Sequence, residues 1–347
     1  MLVSEALTEI GVAAAKRQPP PKGALDKVSK AGRASPLAPD PFLVRGIGAQ
    51  QAGDLILAEK AFKAARQRAP REAAPRYFLS QLFITSGRGA DGLAELATLA
   101  RLLPNGPASV APSLAAYARG SADLANLKAV FRDHPELEQA VLVELAKDPA
   151  NADLALRLAG GFHAPDGTPA DWVKLMLPNL VQAGQFDRAY RLWEAVSGVR
   201  ARGTIFNAGF SNNLAPPPFN WTYRSDSAGL AEPDGKGGLH VLFYGREDAL
   251  LASQTLLLAP GKYRLGMTVA GNPGGMLRWV VACLPARREV AVLSLGATAK
   301  SSPVVDISVG PGCAAQSLEL KGVAGDMPKD ADVTITAVRL TGGANAR

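Results

Sequence analysis

The run "PPPFNWTYR" at residues 216–224 gathers the side chains best suited to chemistry in this sequence. Phe219, Trp221 and Tyr223 offer flat apolar faces, and Asn220 and Arg224 offer planar hydrogen-bonding groups. Proteins hold pyranose rings with such a set: the CH face of the sugar stacks on an aromatic ring while fixed polar groups take its hydroxyls. Phe219, Asn220, Trp221, Tyr223 and Arg224 are therefore the candidate sugar-binding residues. The alternative left open is that Phe219 and Trp221 plug the end of a folded domain. Trp279 alternates with Val281 and is expected to point inward.

Other chemistries lack their residue patterns. The three histidines, His134, His163 and His240, stand in separate contexts with no metal-ligand spacing. No G-x-S-x-G occurs, so there is no nucleophile elbow. The stretch "GNPGG" at 271–275 lacks the Lys-Ser or Lys-Thr of a phosphate cradle. "RGIGAQQAG" at 45–53 has no strand before it and reads as helix rather than as a dinucleotide loop. Asp226, Glu232 and Asp234 are scattered rather than convergent, so no metal is assigned. A paired-carboxylate glycosidase stays as the enzymatic alternative, because such pairing is spatial. The expectation is a non-enzyme without a cofactor.

The formal charge of +7 is spread evenly. Residues 1–50 carry 7 basic and 4 acidic side chains, 51–203 carry 18 and 16, and 204–347 carry 13 and 11. A phosphate backbone needs clustered Lys and Arg, so nucleic acid is not an expected partner. No run of roughly 18 apolar residues is present to span a membrane. Residues 1–38 read as a short helix followed by a Pro-, Lys- and Ala-rich flexible segment without the pattern of an export signal. Either the protein is cytoplasmic or the chain begins downstream of a signal or anchor. The two cysteines, Cys283 and Cys313, fit a single bridge or two buried thiols equally well on spacing alone.

Helices must carry the first part of the chain. Gly53 and Gly87 lie 34 residues apart, as do Pro70 and Pro104, and between each Gly and Pro runs an apolar pattern of helical period. The set Gly46, Gly53, Ala58, Phe62, Ala65 and Pro70 resembles the tetratricopeptide repeat, a helix–turn–helix unit of that length. A second unit departs from it, with Ser80 in place of Gly46 and Gly92 in place of Ala58. "DWVKLMLPNLVQAGQFDRAYRLWEAV" repeats the design loosely through Trp172, Gly184, Ala189 and Trp193. The resemblance implies an α-helical solenoid over 39–203 whose concave face holds a protein partner.

After residue 203 the helical period gives way to short alternating runs between turn residues. Strands are predicted at 238–245, 252–269 with a Pro-Gly hairpin turn inside it, 276–284, 289–296, 304–310, 315–323 and 332–340, giving an antiparallel sandwich over 204–347. "FNAGFS" at 206–211, read as an opening strand, together with "PPFNW", "LLLAPGKYRL" and the closing "VRL", resembles galactose-binding-like jelly rolls, the β-sandwich of many carbohydrate-binding modules. A Cys following the strand that bears Trp279, with a second Cys later, is similar to repeat proteins encoded near bacterial exopolysaccharide genes. This resemblance implies a Cys283–Cys313 disulfide, an oxidising compartment and a periplasmic or envelope location, with a tether upstream of this chain and the cytoplasm as alternative. The function it implies is an adaptor that binds protein through the helices and polysaccharide through the sandwich. A scaffold without a sugar ligand is the rival.

Overall fold

The computed structural model describes residues 37–343 apart from 123, 212–214, 297–299 and 327–328, together with 23, 26–27 and 30. Most of the expected flexible segment 1–38 lies outside the described residues. Packing divides the chain into two compact units, 1–145 and 146–347. The change from helix to strand comes later: the last helix ends at Ser197 and the first strand begins at Thr222.

Spacing of small and apolar residues builds the first unit. Helices α1 (Asp40–Gln51), α2 (Leu55–Arg68), α3 (Ala73–Thr85), α4 (Gly89–Ala100), α5 (Gly106–Gly120), α6 (Ala125–Asp133) and α7 (Pro135–Ala146) follow one another through short turns. In α2 the buried positions are Ala58, Ala61, Phe62 and Ala65, one stripe of a 3.6-residue helix. Asp54 caps it, its Oδ1 accepting from Leu57 N–H at 2.9 Å. Gly53 before α2 and Gly87 before α4 both hold positive φ, which an L side chain resists. At Gly46 an added Cβ would stand 2.4 Å from the Phe62 ring, so only glycine lets α1 approach α2. In the next pair the tight contact moves to the other helix. Gly92 on α4 meets Ser80 and Ile84 on α3, where its Cβ would fall 2.6 Å from the Ile84 side chain. The exchange of Gly46 for Ser80 and of Ala58 for Gly92 preserves close approach with the small residue on the opposite partner.

The second unit begins with a short 3-10 turn, Pro149–Asn151, and helices α8 (Ala152–Leu158), α9 (Asp171–Gln182) and α10 (Phe186–Ser197). Phe186, Ala189, Tyr190, Trp193 and Val196 form the buried face of α10. Two antiparallel sheets follow. One has the order β1 (Thr222–Tyr223), β5 (Ala249–Leu256), β11 (Ala315–Gly322), β7 (Leu277–Leu284), β8 (Arg288–Ser294). The other runs β10 (Val304–Val309), β6 (Gly261–Asn272), β12 (Ala331–Gly342), β4 (Gly238–Phe243), β3 (Gly229–Pro233), β2 (Ser225–Asp226), with β9 (Lys300–Ser301) on β6. Leu239, Val241 and Phe243 of β4, Leu265, Met267 and Val269 of β6, and Val333 and Ile335 of β12 share one core with Leu277, Trp279 and Val281 of β7 and Leu318 and Leu320 of β11. This is the sandwich predicted from alternation, with helices before it.

Two local expectations are corrected. The Pro-Gly turn at 260–261 does not close a hairpin: β5 pairs with β1 and β11, whereas β6 pairs with β10, β12 and β9. A turn signal reports that the chain reverses, not that the flanking strands share a ladder, and here the chain crosses between sheets. "FNAGFS" is no opening strand. Asn207 and Phe210 hold φ near +52° and +51°, and the Asn207 Oδ1 accepts from the Ser211 N–H at 2.9 Å, making a side-chain-locked turn.

Candidate functional site

The strand register assigns every side chain of the five-stranded sheet to a face. In β11, Leu318 and Leu320 enter the core, so Ser317, Glu319 and Lys321 stand on the outer face. Pairing extends this into rows. One row is Thr222, Ser253, Glu319, Val280 and Val292; the next is Thr255, Ser317, Ala282 and Glu289; a third is Leu250, Lys321, Arg278 and Ser294. Hydroxyl-bearing residues thus concentrate on β1, β5 and β11.

An outer sheet face of serines and threonines ordinarily lies in water. Here it floors a cleft of about 590 Å³, within the range of small-molecule sites. Thr222, Ser253, Thr255, Ser317 and Glu319 line its floor, Pro178, Val181, Gln182 and Phe186 form a wall from α9 and the start of α10, and Leu284, Pro285 and Arg287 form the rim at the β7–β8 turn. The site therefore belongs wholly to unit 146–347.

Enclosure changes the chemistry of the floor. Ser317 is only 7% exposed, and its Oγ has no hydrogen-bond partner. A buried, unpartnered hydroxyl costs about 1–3 kcal/mol, so it is an unmet demand within the folded state. Glu319, also 7% exposed, is met by the Lys321 ammonium at 2.9 Å. It is the single carboxylate among the described residues lining the cleft. The buried amides facing the core are satisfied: Gln254 Oε1 accepts from Phe206 N–H at 3.1 Å while its Nε2 donates to Phe206 O at 2.9 Å, and Gln316 Oε1 accepts from Leu258 N–H at 2.9 Å.

The five residues proposed from sequence are not brought together on a surface. Phe219 is 3% exposed and meets Tyr190 and Trp193 of α10 edge-on, at 5.3 and 5.8 Å between ring centroids. Trp193 Nε1 donates to Pro216 O at 2.8 Å, so this aromatic cluster fastens α10 to the sandwich. Trp221, 4% exposed, packs against Phe210 and Trp279, and its Nε1 donates to Asn207 O at 2.9 Å. Asn220 is buried and its Nδ2 donates to Ala215 O at 2.7 Å. Neither ring nor amide is presented to a sugar, because alternation along the strand sends Trp221 and Tyr223 inward and leaves Thr222 on the outer face. Tyr223 packs against the core with its hydroxyl buried and partnerless, and burial pushes its phenol up to about 12. Arg224 is engaged by the Asp226 carboxylate. Trp279 is buried as expected.

Cys283 and Cys313 form a disulfide, with Cα atoms 5.3 Å apart, tying the end of β7 to the segment that leads into β11. His240 lies on the outer face of the other sheet, its Nε2 3.0 Å from Asp332 Oδ1 and its Nδ1 3.9 Å from Glu232 Oε1. Asp234 accepts from the N–H groups of Lys236 and Gly238, which hold its carboxyl below the usual range. Among the described residues no group of three metal-ligating side chains converges, and no helix is long and apolar enough to cross a membrane.

The first unit has its own groove of about 650 Å³, lined by Tyr77, Gln81 and Ile84 of α3 and Pro112, Ala116 and Tyr117 of α5. Tyr77 is 46% exposed there, an accessible aromatic of the kind that anchors a partner.

No family model matches the sequence, and a search of curated proteins found no relative. Carbohydrate-binding modules are among the structural neighbours of the sandwich. A chain described as "CBM4 structure and function" is 12% identical, covers 40% of this chain and 99% of its own, and has a TM-score of 0.32. The C-terminal CBM6 of LamC from Zobellia galactanivorans is 16% identical over 35% of this chain and 93% of its own, with a TM-score of 0.24. "MamA RS-1 ArsTM double mutant" is 14% identical over 56% of this chain and 92% of its own, with a TM-score of 0.28.

Proposed function

We propose that this protein is a non-enzymatic envelope adaptor that binds a polysaccharide in the cleft of unit 146–347 and a protein partner through its helical repeats, in exopolysaccharide assembly or export. The observation that carries the glycan half is the enclosed hydroxyl floor, above all Ser317 with its partnerless Oγ. Sugar hydroxyls both donate and accept, so they complement a row of Ser and Thr side chains, and the apolar surfaces of Pro178, Val181 and Phe186 suit the CH face of a ring. A single carboxylate neutralised by Lys321 supports binding rather than glycosidic cleavage, which needs two carboxyl groups flanking the bond. The disulfide supports an oxidising compartment.

Substitution of Ser253→Trp, half-buried on the floor, places an indole in the cleft. The full-length chain is expected to be retarded in gels containing a bacterial exopolysaccharide, and the variant to lose that retardation with its unfolding midpoint unchanged. A wild-type protein that no glycan retards, or a variant retarded equally, removes this reading. The burial of Phe219 and Trp221 favours a second one, a protein-interaction scaffold without a sugar ligand, in which the Tyr77 groove is the working surface.

A further inference from the structure

Strand register lays out the cleft floor. Ser253 pairs with Glu319 and Thr255 with Ser317, and Thr222 continues the first row beyond Ser253. Directly opposed side chains stand about 5 Å apart, and same-face neighbours along a strand about 7 Å, so Ser253, Glu319, Thr255 and Ser317 mark a rectangle of roughly those sides. Exposure falls along the first row, from exposed Thr222 through half-buried Ser253 to Glu319 at 7%. Glu319 is therefore the inner end of a row of hydroxyls that starts in the open.

The protein satisfies little of this polarity itself. Among the described residues, none of the side-chain hydroxyls of Thr222, Ser253, Thr255 and Ser317 bonds another group, and neither does the Gln182 amide on the wall. Lys321, at 2.9 Å, is the sole cation or donor on the Glu319 side chain among those residues. A carboxylate offers about four lone-pair sites, so most of its accepting capacity is unfilled. Glu319 lines the cleft, which places that capacity within reach of an occupant.

The two kinds of group select by role. A hydroxyl gives or takes, whereas a carboxylate only accepts, so what meets Glu319 must bring a donor. An ammonium group finds the charge already met by Lys321. A ligand carboxylate would set two anions together where Glu319 is 7% exposed and water screens them little. A neutral hydroxyl carries neither cost, and its bond to an ionised acceptor is roughly twice as strong as one between neutral groups.

We propose that Glu319 is the specificity-determining residue of the cleft, accepting from a hydroxyl of a neutral sugar ring whose neighbouring hydroxyls meet Ser253 and Thr255. This rests on the glycan-binding reading above and specifies its chemical class, a neutral rather than an acidic saccharide.

The test is calorimetric titration of the full-length oxidised chain with gluco-, galacto- and manno-oligosaccharides and with the glucuronate, galacturonate and mannuronate oligosaccharides of equal length. The neutral member of a binding pair is expected to bind at least about tenfold more tightly than its uronate. Glu319→Gln keeps the shape of the side chain and removes its charge. It should weaken neutral binding by about fivefold to tenfold and strengthen uronate binding, opposite signs that a loosened fold does not produce. Should that variant fail to fold, deoxy and deoxyfluoro analogues of the preferred sugar, titrated against the unaltered chain, carry the test. Fluorine cannot donate, so at the position that meets Glu319 it should cost about tenfold, as much as deletion of the hydroxyl. Uronates bound as tightly as neutral sugars, Glu319→Gln shifting both classes alike or neither, or no position where fluorine and deletion cost the same, overturns the role of Glu319 while the glycan cleft stands. No binding of any saccharide overturns the cleft as a glycan site and this inference with it.

Discussion

Ser317→Ala separates a folding role from a binding role in one substitution. The Ser317 Oγ is buried and unpartnered, so the folded chain without ligand bears a desolvation cost of about 1–3 kcal/mol that the alanine variant does not. Removal of one oxygen leaves little cavity, and neighbouring Ala282 shows that a methyl is accommodated on the same row of the same face. The variant should therefore be more stable by up to about 1–3 kcal/mol. For a unit of this size that is a rise in unfolding midpoint of roughly 2–4 °C per kcal/mol. Glycan affinity should move the other way. A net hydrogen bond of about 0.5–1.5 kcal/mol lost from the complex corresponds to a roughly twofold to tenfold weaker dissociation constant. Calorimetric unfolding in the absence of sugar, with titration of the same samples, reads both signs. A lowered midpoint would mean that an ordered water or a relaxed partner already satisfies this hydroxyl, and unchanged affinity would mean that no ligand reaches it. Either result refutes the reasoning.

Reduction, or Cys283→Ser with Cys313→Ser, opens a loop of 30 residues' separation. Chain entropy puts the loss at about 3–4 kcal/mol, measurable as a lower denaturant midpoint for unit 146–347; an unchanged midpoint would show that the bridge contributes nothing. Tyr223 carries a folded-state phenol raised from 10.0 to about 12 by burial. The unfolded chain then ionises first as pH rises, so this residue's contribution is complete below pH 10.0 and is lost between there and about 12. Tyr223→Phe should flatten the stability profile in that window, and an unaltered slope would place the phenol in water. A fragment starting at residue 146 should unfold cooperatively, whereas one starting at 204 should bind an apolar dye through exposed Phe219 and lose the cleft wall of α9. Equal stability of the two fragments would mean that Trp193 and Tyr190 add nothing.

The helices were legible where small residues recur at helical spacing, as in Ala58, Phe62 and Ala65, and the sandwich where apolar residues alternate, as in Leu318 and Leu320. Strand β3 was missed because Gly229 and Pro233 bound it with loop chemistry, although its interior Ala231 belongs to the core. The unit boundary was hidden because composition records secondary structure rather than packing: Trp193 and Phe219 lie on either side of the compositional change yet touch. The direction of the candidate site residues is hard to read for a related reason. Prolines beside aromatics suggest an exposed loop, yet Phe219 and Trp221 are buried, in line with the alternative in which they plug the end of the domain, and the β period from Trp221 onward turns Trp221 and Tyr223 inward. Ser317 and Glu319 could be placed on the outer face from alternation alone. That this face is roofed by α9 could not, since the covering residues precede it by more than a hundred positions.

What distinguishes the cleft from ordinary surface polarity is the choice made at each position of a single face. Val280, fully buried, and Ala282, 5% exposed, occupy the same outer face as Ser317 and Glu319 and are apolar. The fold thus admits hydrocarbon there, and a uniformly apolar floor beneath Pro178, Val181 and Phe186 would pack without unsatisfied groups. Instead, hydroxyls fill Thr222, Ser253, Thr255 and Ser317 on the side where the cleft opens, and valine and alanine fill the neighbouring strand outside it. Folding stability alone favours the opposite pattern at Ser317. Departures from local consistency concentrate where a protein works, and a polar ligand that completes the hydroxyl row turns the cost of the empty floor into affinity for what occupies it.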